Sequence, residues 1–178
     1  MRKVVITEFL SLDGVMEEPA WTAPYWNDEI AKFKGNEQDT SDVLLLGRVT
    51  YQGFAAAWPE SEDEGADYMN NVCKYVVSTT LDKLEWNNSI LIKDNVVEEI
   101  IQLKQQEGQD ILVYGSATLV HTLMQHDLVD HYRLLVYPVI VGKGKRLFQD
   151  STTVTLKLVE SQFLSSGVLA LVYEPDRK

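Results

Sequence analysis

The sequence predicts a single α/β domain spanning residues 1–178, with one mixed, mostly parallel sheet covered by helices on both faces. Three observations support this. Short apolar runs of strand length alternate with stretches whose apolar residues recur at helical spacing. Two of those runs, 43–46 and 111–114, end in a glycine and lead directly into a helical pattern. The last runs, 154–163 and 168–174, are joined by Ser165-Ser166-Gly167, a turn that closes an antiparallel hairpin. With 178 residues, 45% of them hydrophobic and 24% charged, the chain can build one core but carries no apolar run of membrane-spanning length.

The first strand is expected over 3–9, and Asp13-Gly14 turns the chain after it. Asp13 suits that turn, and it would also place a polar group at a strand's carboxyl end. Segment 17–26 holds two prolines, Trp21 and Trp26, and is expected to be a structured loop walling a pocket. Asn27 is placed to cap a helix reaching about Gln38, with Ile30, Ala31 and Phe33 facing inward. The strand 43–46 ends at Gly47, and a helix over 50–58 stops at Pro59. Arg48 in that turn has an electrostatic reason to meet an anion.

The acidic run 60–67 is expected to be a solvated loop and first helical turn rather than a metal site. Short strands follow at 74–78 and 90–93. Ser78, Thr79 and Thr80 close the first of them; such hydroxyls either hold a ribose or 2′-phosphate or cap the next turn. An amphipathic helix over 96–106 has Val97, Ile100, Ile101 and Lys104 in register and ends at Gly108.

The stretch around which the chain is organised is Asp110-Ile-Leu-Val-Tyr-Gly-Ser-Ala-Thr-Leu119. A buried strand runs to Tyr114, Gly115 permits a sharp reversal, and Ser116 is placed to cap a helix over 117–124. Unpaired backbone N–H groups and the helix dipole would both face that turn, which suits a cofactor pyrophosphate. A further strand over 131–138 brings Pro138 to an edge, bulge or strand end. Gly142-Lys143-Gly144-Lys145-Arg146 is the basic cluster of an acidic chain. It lacks the third glycine of a dinucleotide fingerprint, and reads either as a phosphate-binding loop or as a solvated turn.

Sixteen basic against twenty-seven acidic residues give a net charge of −11, which opposes nucleic acid and anionic lipid as partners. The single cysteine, Cys73, forms no internal disulfide and reads as a packed thiol. There is no metal-ligand spacing, P-loop or nucleophile elbow, and His121, His126 and His131 do not compose a triad. The first residues enter a strand pattern without the apolar stretch of a signal peptide, so a cytoplasmic location is expected. An α/β domain with glycine turns at strand ends and no acid–base pair of its own is what a cofactor-driven enzyme looks like.

Several segments together, Ser11-Leu-Asp-Gly14, Leu46-Gly-Arg-Val-Thr-Tyr51, Tyr75-Val-Val-Ser78, Val113-Tyr-Gly-Ser-Ala-Thr-Leu119, Leu128-Val-Asp130 and Pro138-Val-Ile-Val-Gly-Lys-Gly-Lys-Arg-Leu-Phe148, resemble the dihydrofolate-reductase-like superfamily. Within it the chain is most similar to the C-terminal reductase domain of the riboflavin-biosynthesis deaminase–reductase. The resemblance implies a central sheet of about eight strands, mostly parallel with an antiparallel C-terminal part. It also implies NADPH at the strands' carboxyl ends and a cytoplasmic homodimer.

By position, Gly47, Arg48, Val49 and Thr50 would follow the cofactor phosphates, Ser78 and Thr79 the adenosine end, and Gly115, Ser116, Ala117, Thr118 and Leu119 the pyrophosphate. Asp13 and Gly14 would border nicotinamide and substrate, with Asp13 as the polar or proton-relaying group. Trp26, Lys143, Lys145 and Arg146 would serve the substrate, the cations as partners of its phosphate. The resemblance thus implies a reduction like that of 5-amino-6-(5-phosphoribosylamino)uracil. A non-catalytic NADP-binding protein and a pterin or dihydrofolate reductase are the alternatives. Ser116 replaces the second glycine of the dihydrofolate reductase pair, and neither Asp28 nor Glu29 is an evident counterpart of that enzyme's substrate-binding carboxylate.

Overall fold

The computed structural model describes residues 1–149 and 153–177. Its eight strands form one sheet in the order β4-β3-β2-β5-β1-β6-β8-β7. They are β1 (Val4–Leu10), β2 (Ser41–Gly47), β3 (Cys73–Val77), β4 (Ser89–Ile92), β5 (Asp110–Tyr114), β6 (His131–Val136), β7 (Leu156–Phe163) and β8 (Leu169–Pro175). Strands β1 to β6 pair in parallel, whereas β8 runs antiparallel to β6 and β7 antiparallel to β8. The expected mixed sheet and C-terminal hairpin are both present. Pro138 falls beyond the end of β6, where its missing N–H breaks no ladder.

Among the described residues, five α-helices connect the strands: α1 (Asp28–Asp39), α2 (Arg48–Ala57), α3 (Ala66–Asn71), α4 (Val96–Gln105) and α5 (Ala117–Gln125). Alternation along β1 divides the core in two. Val4 and Ile6 pack with Ile100 and Leu103 of α4 and with Leu119, Val120 and Leu123 of α5. Val5 faces Tyr51 of α2 and Met69 of α3, and Phe9 joins the cluster built by Ile30 and Phe33 of α1.

Asn27 caps α1 as expected, its side-chain oxygen accepting from the Ile30 N–H at 3.0 Å. The structure differs from the sequence expectations at five places. Helix α2 starts at Arg48 rather than Thr50, so residues 48–50 form its first turn. On α4 Leu103 is buried while Ile101 is 39% exposed, because the helix turns its inner face slightly from the register expected. On α1 the inward stripe continues from Ile30 and Phe33 to two charged residues, Lys34 and Glu37, and Ala31 is only half-buried. Ser116 does occupy the N-cap position of α5, but its side chain makes no cap hydrogen bond; it reaches across to β2 and α2 instead. Segment 17–26, expected as a loop, contains the 3-10 helix Pro19–Tyr25, whose Trp21 ring packs edge-on against Tyr137 at 5.5 Å.

Candidate active-site cleft

The parallel strands β1, β2, β3 and β5 all point their carboxyl ends at one cleft of about 720 Å³. This is where open α/β sheets bind ligands. Residues 47–50 form one wall and 115–119 the opposite wall, with Val77 and Val96 beside them.

The two walls are bolted together. Ser116 Oγ accepts from the Gly47 N–H at 2.8 Å, and Thr50 Oγ1 accepts from the Ser116 N–H at 3.0 Å. Gly115 and Ser116 both hold positive φ, 56° and 63°. Glycine is required at 115, because a Cβ there would meet Thr50 Oγ1 at 2.5 Å. The non-glycine Ser116 tolerates its left-handed backbone through those side-chain bonds.

Neither α2 nor α5 has a side-chain hydrogen bond at its N-cap. Both helices therefore turn N-terminal amides and the positive end of their dipoles towards the cleft. Two cations stand beside these ends. Arg48 is exposed and donates to Gln52 at 3.0 Å; Lys145 lines the cleft and donates to Thr118 Oγ1 at 3.3 Å. In a chain of net charge −11, this concentration of positive potential suits a diphosphate. The residues present thus fit the diphosphate of a dinucleotide.

Deeper in, the cleft is lined by Thr7, Glu8, Phe9, Lys34 and Tyr114. Lys34 Nζ donates to Thr7 Oγ1 at 2.6 Å and pairs with Glu37 at 2.7 Å, over the rings of Tyr114 and Phe9. Glu37 is 1% exposed and also pairs with Arg133 Nε at 3.0 Å and accepts from Thr7. Glu8, 8% exposed, differs from this satisfied group. Its Oε1 has no hydrogen-bond partner among the described residues. Burial pushes its carboxyl up to about 8, against the opposing pull of Lys34 and of the Gly115 backbone. The upward shift favours the protonated acid at neutral pH.

Of the residues singled out in the sequence, 47–50, 115–119 and Lys145 share this cleft. Ser78 and Thr79 do not line it, although Val77 does; Ser78 Oγ instead accepts from the N–H groups of Thr80 and Leu81, the turn-capping role. Asp13 is committed to holding loops together. Its carboxylate accepts from Ser11 Oγ at 2.6 Å and from the backbone of Val141 and Gly142, contacts that hold it down to about 2. Outside the cleft lining and strongly acidic, it is poorly suited to relaying a proton.

Gly14, Lys143 and Arg146 also lie outside the lining, and Arg146 Nε donates to the Asp13 carbonyl. Trp26 stands one ring behind it, edge-on to Phe9 at 6.3 Å. Glu29 accepts from the Ser165 backbone at 2.7 Å, outside the cleft. Sequence reasoning missed Glu8, Lys34 and Glu37. Two signals were available: a charged residue inside the apolar strand Val4-Val5-Ile6-Thr7-Glu8-Phe9-Leu10, and charges continuing the Ile30–Phe33 stripe. Among the described residues, no group of three His, Cys, Asp or Glu could hold a metal, and no helix is long and apolar enough to cross a membrane.

The family model described as the RibD C-terminal domain matches residues 2–170. The uncharacterised protein YyaP of Bacillus subtilis is 34% identical over 97% of this chain and 94% of its own. Among solved structures, a provisionally named riboflavin biosynthesis protein from Shewanella sp. PV-4 superposes with a TM-score of 0.77 at 16% identity, over 98% of this chain and 99% of that one. The Thermotoga maritima diaminohydroxyphosphoribosylaminopyrimidine deaminase/5-amino-6-(5-phosphoribosylamino)uracil reductase gives 0.69 at 15%, over 98% of this chain and 56% of that one. Enterococcus faecalis dihydrofolate reductase complexed with NADP(H) gives 0.68 at 13%, over 98% and 97%.

Proposed function

The chain belongs to the RibD C-terminal domain family, and from that membership and its cleft we propose that it is an NADPH-dependent reductase of a small heterocyclic, carbonyl or imine substrate. The observation that carries this reading is the pair of uncapped helix N-termini, α2 and α5, opening on one cleft beside Arg48 and Lys145. The names of the Thermotoga and Enterococcus neighbours, a pyrimidine reductase and an NADP(H) complex, support the same class.

Bound there, reduced nicotinamide would supply the hydride. The chain's own part is positioning. Gly47 and Gly115 let backbone approach the diphosphate, and Arg48 is placed for the 2′-phosphate. Phe9 and Tyr114, with Lys34 above their rings, wall the inner end against water. Lys145, at the rim, is the cation available to a phosphorylated substrate. The edge strand β7 leaves Leu158, Val159 and Phe163 exposed, which supports a homodimer joined along that edge.

Arg48→Ala tests the cofactor assignment. Loss of a charge-assisted contact should weaken NADPH by about 10–100-fold. NADH, which lacks the 2′-phosphate, should be affected much less. An equal loss for both would remove Arg48 from the 2′-phosphate. NADPH oxidation should be assayed with 5-amino-6-(5-phosphoribosylamino)uracil and dihydrofolate as acceptors, which separates the pyrimidine and folate readings.

A further inference from the structure

Glu8 occupies a strand position where burial ordinarily selects an apolar side chain. It shares its face of β1 with Val4, Ile6 and Leu10, all buried, and lies at the end of the strand that opens on the cleft. Every other buried charged group of the inner cleft is satisfied: Lys34 by Thr7 and Glu37, and Glu37 by Thr7, Lys34 and Arg133. Glu8 Oε1 is left without a partner in a wall that a ligand would cover. Buried polar atoms left open are exceptions, and one lying in a cleft wall is placed to meet a ligand.

We propose that Glu8 is the acid that completes the reduction, giving its proton to the substrate heteroatom whose neighbouring carbon receives the hydride. This rests on the reductase reading above. The substrate's C=N or C=O carbon gains a C–H bond as the reduced nicotinamide is oxidised. The π pair moves to the nitrogen or oxygen, and an N–H or O–H bond forms there as the Glu8 O–H bond breaks. Glu8 is left as a carboxylate and recovers its proton from water.

The surroundings favour that exchange. Around Glu8 stand Lys34 and Glu37 of α1, Tyr114 of β5 and the backbone of Gly115 and Phe9; farther along the cleft wall are Glu17, Glu18, Arg48 and Lys145. Of the neighbouring charges, Lys34 pulls most strongly towards the ionised form of Glu8, with Glu37 acting against it. The carboxylate formed on proton transfer therefore has the Lys34 ammonium as its stabiliser. An acid that is protonated at neutral pH yet has a waiting counter-charge is suited to donate.

The first test uses the ligand-free protein. An infrared difference titration should show a protonated carboxyl band at neutral pH that fades as pH rises through about 8 and is missing in Glu8→Gln. NADPH affinity in that variant should stay within a few-fold of wild type, reporting an intact cleft. Single-turnover NADPH oxidation, with whichever of the two acceptors above is reduced, should fall by about 10²–10⁴-fold in Glu8→Gln. Glu8→Asp should recover part of the loss, and the wild-type rate should decline above the same pH. Absence of the band, its persistence in Glu8→Gln, or turnover unchanged by that substitution would overturn the assignment. Failure of wild type to bind NADPH would instead remove the reductase reading, a separate outcome from loss of the carboxyl band.

Discussion

Replacing Glu37 by leucine is expected to destabilise the protein by about 3–5 kcal/mol, because it strands two cations in the interior. Glu37 is 1% exposed and is the shared counter-ion of Lys34, at 2.7 Å, and Arg133, at 3.0 Å. Arg133 has some access to water and stacks over Phe33. Lys34 does not escape so easily. Its ammonium sits beneath Thr7 and over two aromatic rings, with only 11% of its side chain exposed. Thr7 would lose its carboxylate acceptor as well. Urea denaturation measures the loss directly. Glu37→Gln, which keeps one acceptor oxygen but removes the charge and puts an NH2 donor in place of the other oxygen, should cost less than leucine, which keeps no acceptor at all. A leucine variant within 1 kcal/mol of wild type would show that the cluster relaxes into solvent and is not a fixed wall of the cleft.

Gly115→Ala is the second large effect, expected to cost about 2–4 kcal/mol through left-handed backbone strain and overpacking together. The added Cβ would meet Thr50 Oγ1 at 2.5 Å. Thr50 cannot retreat without giving up the Ser116 N–H, and Ser116 in turn holds the Gly47 N–H. The displacement therefore passes from β5 to the first turn of α2, and both helix N-termini leave their common alignment. NADPH affinity should fall with stability, and more steeply than in Glu37→Leu, whose damage lies deeper in the cleft. Unchanged stability and affinity would mean that the two walls move independently.

The outer half of the site was legible in the sequence. Strand–glycine–helix units signal a positive φ or a close approach whatever the rest of the chain does, so Gly47 and Gly115 announced the two walls before any coordinates. The alternation of apolar runs and helical stripes likewise led to the mixed sheet and its terminal hairpin.

The inner half was not legible. Asp13 follows a strand as a relaying acid would, and only the N–H groups of Val141 and Gly142, over a hundred residues away, reveal that it is a staple. Lys34 and Glu37 lie three apart on a helix that begins with Asp28 and Glu29. Such spacing is ordinary for a solvated face, and the partner that draws them inward, Arg133, comes from β6. Glu8 was masked for the opposite reason: a single charge in an apolar strand is equally consistent with an edge, and only the pairing of β1 between β5 and β6 makes it central.

The most direct measurement is an NADPH titration of the wild-type protein followed by backbone amide chemical shifts. The account predicts saturable binding, with the largest shifts at 47–50 and 115–119, a clear response at Glu8, and little change at Asp13 or Gly142. No saturable binding, or shifts concentrated away from the two helix N-termini, would contradict it.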